Sequence, residues 1–262
     1  MRAMHIAATG MEAQRLNVEV ISHNIANTTT TGFKASRVEF QDLLYQNIRT
    51  VGSPSSDSGT IVPSGLQVGL GVLPAATYRV NTQGTLLPTD NVLDIAINGQ
   101  GFFQIQMPDG TTTYTRSGAF LPDADGNIVT ADGYQIIPNI TIPSGAIEVT
   151  INKNGQVSAT IEGQTGQQVL GQIQLAYFIN PVGLEALGGN LLRETDASGT
   201  PVVSNPGTSG LGVLLQGSLE QSSVNIVTEI STLITAQRAY EMNSKVITTA
   251  EQMMAVTSQM KS

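Results

Sequence analysis

The sequence predicts an α+β protein in which long N- and C-terminal helices pair as a coiled coil, with an all-β domain inserted between them and an extended β arm. Three observations carry that expectation. Apolar residues recur every seven positions at both ends of the chain, they alternate every two positions in the middle, and the excess negative charge is confined to that middle.

The first stripe is Met4, Met11, Val18 and Ile25, with Ala7 and Ile21 filling intermediate positions. It gives way near Asn24 to Asn27, where a run of threonines ending at Gly32 replaces the period with β-branched and turn-forming residues. At the far end Ile226, Leu233, Tyr240, Ile247 and Met254 repeat the step, flanked by Ala239, Val246, Met253 and Met260. No proline or glycine follows Gly217, so a helix from Ser222 to Met260 would span roughly 58 Å, more than one small core can cover. A spacing of 3.5 residues implies supercoiling against a partner, and the N-terminal helix is the nearest one. The group Ile226, Ile230, Leu233 and Ile234 is broader than a two-helix seam needs, which leaves apolar surface for association. Gln14, Gln237, Ser244 and Glu251 fall at seam positions and weaken the pair, so the helices are expected to order on assembly. The helical domain is expected over residues 1–33 and 221–262.

Residues 34–80 and 205–220 read as a connecting arm, rich in Ser, Pro and Gly from Gly52 to Gly71. Residues 81–204 read as the β domain. Short strands are predicted at Asn91 to Asn98, Phe102 to Met107, Thr112 to Thr115, Asn127 to Thr130, Glu148 to Asn152, Gln156 to Ile161 and Gln172 to Phe178. The turns Pro108-Asp109-Gly110, Ala131-Asp132-Gly133 and Asn154-Gly155 supply residues that accept positive φ.

Of the formal charge of −8, the middle holds most: residues 81–220 carry three basic against twelve acidic side chains, while residues 1–40 and 222–262 together carry seven against six. No basic stripe exists for a phosphate backbone, so nucleic acid is not an expected partner. With no cysteine, thiolate nucleophiles and thiolate metal sites are impossible. No apolar run approaches a membrane span, and charges at Glu12, Arg15 and Glu19 interrupt any signal-peptide core, so the N-terminus is expected to be retained and the chain not inserted in a membrane. The two histidines, His5 and His23, sit on the N-terminal helix, away from the acids of the β domain. Asp123-Ala124-Asp125-Gly126-Asn127 departs from a calcium loop, with Ile128 and Tyr134 where glycine and glutamate are required, and reads as a turn. Asn98-Gly99-Gln100-Gly101 reads as a tight hairpin. The sequence offers no catalytic residue, cofactor site or metal ligand set, and predicts a structural protein that is not an enzyme.

Two terminal motifs make the reading specific. Ser22-His23-Asn24-Ile25-Ala26-Asn27-Thr28-Thr29-Thr30-Thr31-Gly32-Phe33-Lys34 resembles the N-terminal signature of the bacterial flagellar rod and hook protein family. Gly217 to Asn225, followed by Ala236-Gln237-Arg238-Ala239-Tyr240-Glu241 and Asn243-Ser244-Lys245, resembles its C-terminal signature. Phe40 to Tyr45, Leu93 to Phe103 and Tyr114 to Gly118 are similar to members that build the distal rod, as is the arm after Tyr45. The resemblance singles out Asn24, Asn27, Thr31, Gly32, Phe33, Gln237, Arg238, Ala239 and Asn243 as motif residues. It implies a helical homopolymer, a tube with terminal helices inside and β domains outside, serving as a drive shaft from motor to hook. It further implies a periplasm-spanning location and contacts with proximal rod proteins, hook protein, surrounding ring proteins and the flagellar export apparatus.

Overall fold

The computed structural model describes residues 2–49, 64–163, 166–208 and 210–260. The fold is α+β: helix α1 (Arg2–Ala26) opens the chain and helix α2 (Ile226–Gln259) closes it, with short strands between. The chain divides into two compact units, each discontinuous in sequence. Unit 1 comprises Met1–Ile25, Ser36–Tyr78 and Ile226–Ser262; unit 2 comprises Ala26–Ala35 and Arg79–Asn225.

Unit 1 holds the two helices and four strands, β1 (Ser36–Asp42), β2 (Tyr45–Arg49), β3 (Leu66–Gly69) and β4 (Val72–Arg79), paired as β1 with β4 and β2 with β3. Much of the Gly52 to Gly71 arm lies outside the described residues; the part from Ser64 onward enters β3. The β2–β3 ladder is antiparallel with Tyr45 opposite Gly69. It leaves Leu44, Tyr45, Ile48 and Leu66 exposed.

Unit 2 continues with β5 (Leu86–Pro88), β6 (Ile95–Asn98), β7 (Phe102–Gln106), β8 (Thr112–Thr115), β9 (Leu121–Pro122), β10 (Ile128–Val129), β11 (Gln135–Ile137), β12 (Ala146–Ile151), β13 (Gln156–Ile161) and β14 (Gln167–Gln172). After these come β15 (Leu175–Tyr177), a 3-10 turn at Pro181–Gly183, β16 (Glu185–Gly188), β17 (Leu191–Arg193), β18 (Val202–Ser204), β19 (Val213–Gln216) and β20 (Ser218–Glu220). Strand β7 is the centre. It pairs with β8 along one edge, while its other edge is shared between β11 at Gln104–Gln106 and β15 at Phe102–Phe103.

The period-two alternation of a strand explains why β7 is buried on both faces. Phe103 and Ile105 enter a core with Ile95, Ile97, Phe120, Ile136 and Leu175, and Phe103 meets Phe120 edge-on at 5.2 Å between ring centres. Phe102 turns the other way, to Tyr114, Phe178 and Leu184. Hairpins form at the three predicted turns; at Asn154-Gly155 the glycine has φ +88°, which a side chain would disfavour. The predicted strand Gln172 to Phe178 is two strands in different sheets: β14 ends at Gln172 and β15 begins at Leu175.

Candidate functional site

In unit 1 the helices touch at two described points. A Cβ placed on Gly10 would lie 2.8 Å from Asn243 Nδ2, and Asn24 Nδ2 donates to Glu229 Oε2 at 3.3 Å. Fourteen residues separate these contacts on each helix, and they run in opposite directions, so α1 and α2 are antiparallel in one register. The buried residues of α2, Ala236 and Ala250, lie on the same seven-residue series as Glu229 and Asn243. The close approach at Gly10 is made without a side chain, and a Cβ there would push the Asn243 amide aside.

Asn24 is the junction of three segments. It is 2% exposed, its amide donates to Ser36 O and accepts from Ser36 N, both at 2.8 Å, and it reaches Glu229 on α2. One side chain thus ties the end of α1 to the start of β1 and of α2, satisfying both backbone groups of Ser36. Thr9 adds a second tie, its hydroxyl accepting from Val72 N at 3.3 Å.

The stripe residues of α1, Met4, Met11, Val18 and Ile25, are half-buried, while Ala7, Ala13 and Ile21 are buried. On α2, Leu233 and Ile247 are half-buried and Ile226, Tyr240 and Met254 are exposed. Val227, Ile230, Ile234, Met242, Val246, Met253, Val256 and Met260 are exposed as well. Of the motif residues on α2, Gln237 and Arg238 are exposed, and Ala239 and Asn243 are half-buried. An apolar surface of this extent on a helix marks association.

The remaining motif residues lie where the chain enters and leaves unit 2. Thr30 closes a turn on Asn27, its N–H donating to Asn27 O and its hydroxyl to Asn27 Oδ1. Thr31 O accepts from Asn190 Nδ2. Gly32 N donates to Glu220 O at 2.8 Å, Ser223 N donates to Phe33 O at 3.0 Å, and Ala35 N donates to Ser223 Oγ at 3.0 Å. The incoming and outgoing segments are thereby zipped together. Gly32 has φ +69°, and a Cβ there would lie 2.8 Å from the Arg116 and Ser117 backbone, so both conformation and space demand glycine.

Beneath this zipper sits an ionic cluster whose members, Lys34, Arg116 and Glu220, come from three separate motif segments. Glu220, 1% exposed, accepts from Lys34 Nζ at 2.6 Å on one oxygen and from Arg116 Nε at 2.7 Å on the other. Gly84 N also donates to it at 2.9 Å. Lys34 spends a further donor on Thr82 O, and Arg116 spends its others on the carbonyls of Ile97, Gly99 and Gly101. Burial pushes the Lys34 amine below its ordinary value, against the upward pull of Glu220. Every charge is matched to a carboxylate or carbonyl, which makes the cluster a clamp.

A cleft of about 430 Å³ in unit 2 is lined by Lys34, Gln83, Gln100, Arg116, Tyr177 and Phe178, whose cations are those of the clamp. Both histidines are exposed on α1. Among the described residues no cluster of His, Asp and Glu is arranged for a metal, and no helix is long and apolar enough to cross a membrane. Two chain ends folded together with uncovered apolar helix surface, around an inserted β unit with a closed core, define a helix-terminated structural subunit.

Comparison with known proteins agrees along the whole chain. Residues 4–34 match the family described as flagella basal body rod protein, residues 96–159 the flagellar hook protein FlgE/F/G D1 domain, and residues 215–260 the flagellar basal body rod FlgEFG protein C-terminal family. The flagellar basal-body rod protein FlgG of Caulobacter vibrioides is 56% identical over the full length of both chains. Those of Agrobacterium fabrum and Borreliella burgdorferi are 54% identical, over 98% of each chain, and 46% identical, over 100% of this chain and 99% of theirs. The chain belongs to the flagellar basal-body rod protein family.

Proposed function

We propose that the protein is the subunit of the distal rod, a helical homopolymer that carries torque from motor to hook. The observation that carries this reading is the contrast within α2, where the buried residues are the small Ala236 and Ala250 while large apolar residues are exposed. A helix of 34 residues is not left apolar on its outer face unless other copies cover it. On this reading α1 and α2 form an antiparallel coiled coil, with Met4, Met11, Val18, Ile25, Ile226, Leu233, Tyr240, Ile247 and Met254 along its edges as contacts between copies. On the same reading the helices form the inner layer, 34–80 the arm, and the β unit the outer layer, to which 205–220 belongs through the pairing of β19 with β6 and β20 with β5; its acidity keeps the surface hydrated.

The zipper and clamp suit torque transmission, because both chain connections of unit 2 are fixed to each other before load reaches them. The subunit works without catalysis or cofactor. Its partners are its own copies, proximal rod proteins, hook protein, ring proteins and the export apparatus, and its place is the periplasm-spanning rod. The identities of 38–56% to FlgG rod proteins, 38% being that of Bacillus subtilis, against 31% to the Bacillus subtilis hook-basal body complex protein FlhP, favour the rod reading over a paralogue. Electron microscopy of polymer grown from purified protein tests it. Straight tubes are expected; discrete stalks or a persistently monomeric protein would overturn it.

A further inference from the structure

The antiparallel register has an outcome at each end of α2. With Gly10 beside Asn243 and Asn24 beside Glu229, the first residue of α1, Arg2, comes opposite Glu251. Residues 252–259 therefore run two turns past the end of α1, and all of them are exposed, including Met253, Met254 and Val256. No segment of the same helix pair extends far enough to cover them. At the opposite end of α2, Ile226, Val227, Ile230 and Ile234 form a second exposed apolar patch, also about two turns long.

We propose that these are the two halves of one interface, in which the overhanging C-terminal turns of one copy dock on the Ile226 to Ile234 patch of the next. The inference rests on the polymerising function proposed above. Three features single out a second copy as the occupant. The patches match in length, and they lie at opposite ends of one helix, so copies in the same orientation satisfy both in turn while a foreign partner would leave one bare. Their chemistry is complementary: methionines on the overhang adapt to a neighbour, whereas β-branched Ile and Val present a stiff surface. Such a head-to-tail contact is heterologous and does not close, which yields an open filament.

Two measurements test it, both on the full-length chain. In the first, Met253→Asp with Val256→Asp removes the overhang's apolar face, and Ile230→Asp with Ile234→Asp removes the patch. Each variant alone should stay monomeric, and an equimolar mixture should give 1:1 dimers that grow no further, read by light scattering and mass photometry. Dimers from either variant alone, or a mixture that stays monomeric while wild type polymerises, would overturn the interface. A wild type that fails to polymerise would instead overturn the functional reading beneath it. In the second, a chain bearing Ile230→Cys and Met253→Cys is polymerised and oxidised. The two positions are about 34 Å apart on one helix and cannot bridge within a chain, and the sequence has no other cysteine. A ladder of disulfide-linked multimers is expected, with none from either single cysteine variant. An unlinked polymer contradicts the contact.

Discussion

Unit 2 buries Phe103, Phe120, Phe178, Ile95, Ile105 and Leu214 almost completely, whereas the buried hydrophobic residues of unit 1 are Ala7, Ala13, Ile21, Val38, Ala236 and Ala250. One unit has its core; the other keeps its large apolar residues on the surface. Burial of apolar area is the main favourable term in folding, so unit 2 has the larger share of it, and on the proposed function unit 1 is completed by other copies. The division of labour follows from side-chain size. Small residues let two helices approach without consuming the large residues that association requires.

This comparison can be broken in several ways. The largest effect is expected from Leu233→Asp or Ile247→Asp, which places an unpaired charge at the edge of the helix pair. Polymerisation should be lost while the melting temperature of unit 2 stays unchanged; an equal loss of unit 2 stability would show a single shared core. Glu220→Gln should do the reverse. It strands Lys34 and Arg116 in a buried site, and chemical denaturation should show unit 2 weakened by about 3–5 kcal/mol.

Alkaline pH should also act on unit 2. Burial, with Glu194 adding to it, raises Tyr114 to about 12 from the ordinary 10. The folded chain holds this proton where the unfolded chain releases it, so stability is intact below pH 10 and falls as pH rises toward 12, by roughly 2 kcal/mol. Tyr114→Phe should flatten that fall in pH-dependent unfolding; an unchanged slope would remove Tyr114 from the account. The smallest effect is expected from Asn24→Ala, which leaves the Ser36 backbone without its side-chain partner. Polymer dissociation by urea should shift by about 1–2 kcal/mol with unit 2 melting unaffected.

The long helices and the hairpins of unit 2 were legible in the sequence because they repeat a period over many residues or carry turn residues with special φ. The α+β class and the apolar outer face of α2 came from that same signal. The strands β16, β17 and β18 were not legible, since runs of three or four residues are too short to carry an alternation. The start of α2 falls at Ile226, later than Ser222, because Ser223 is taken up by hydrogen bonds to Phe33 and Ala35. The expected seam follows the large apolar stripe, whereas the described contacts between the helices are Gly10 with Asn243 and Asn24 with Glu229, small and amide residues that carry little hydropathy signal. The clamp had no local signal, as Lys34 and Glu220 are 186 positions apart and only the fold brings Arg116 between them.

The central claim, that unit 1 is completed by neighbouring copies and unit 2 is complete by itself, is tested most directly by amide hydrogen exchange on the free monomer and on the polymer. Residues 2–26 and 226–259 should exchange fast in the monomer and slowly in the polymer, while β7, β8 and β13 should be equally protected in both. Strong protection of α1 and α2 in the free monomer, matching that of β7, would contradict it.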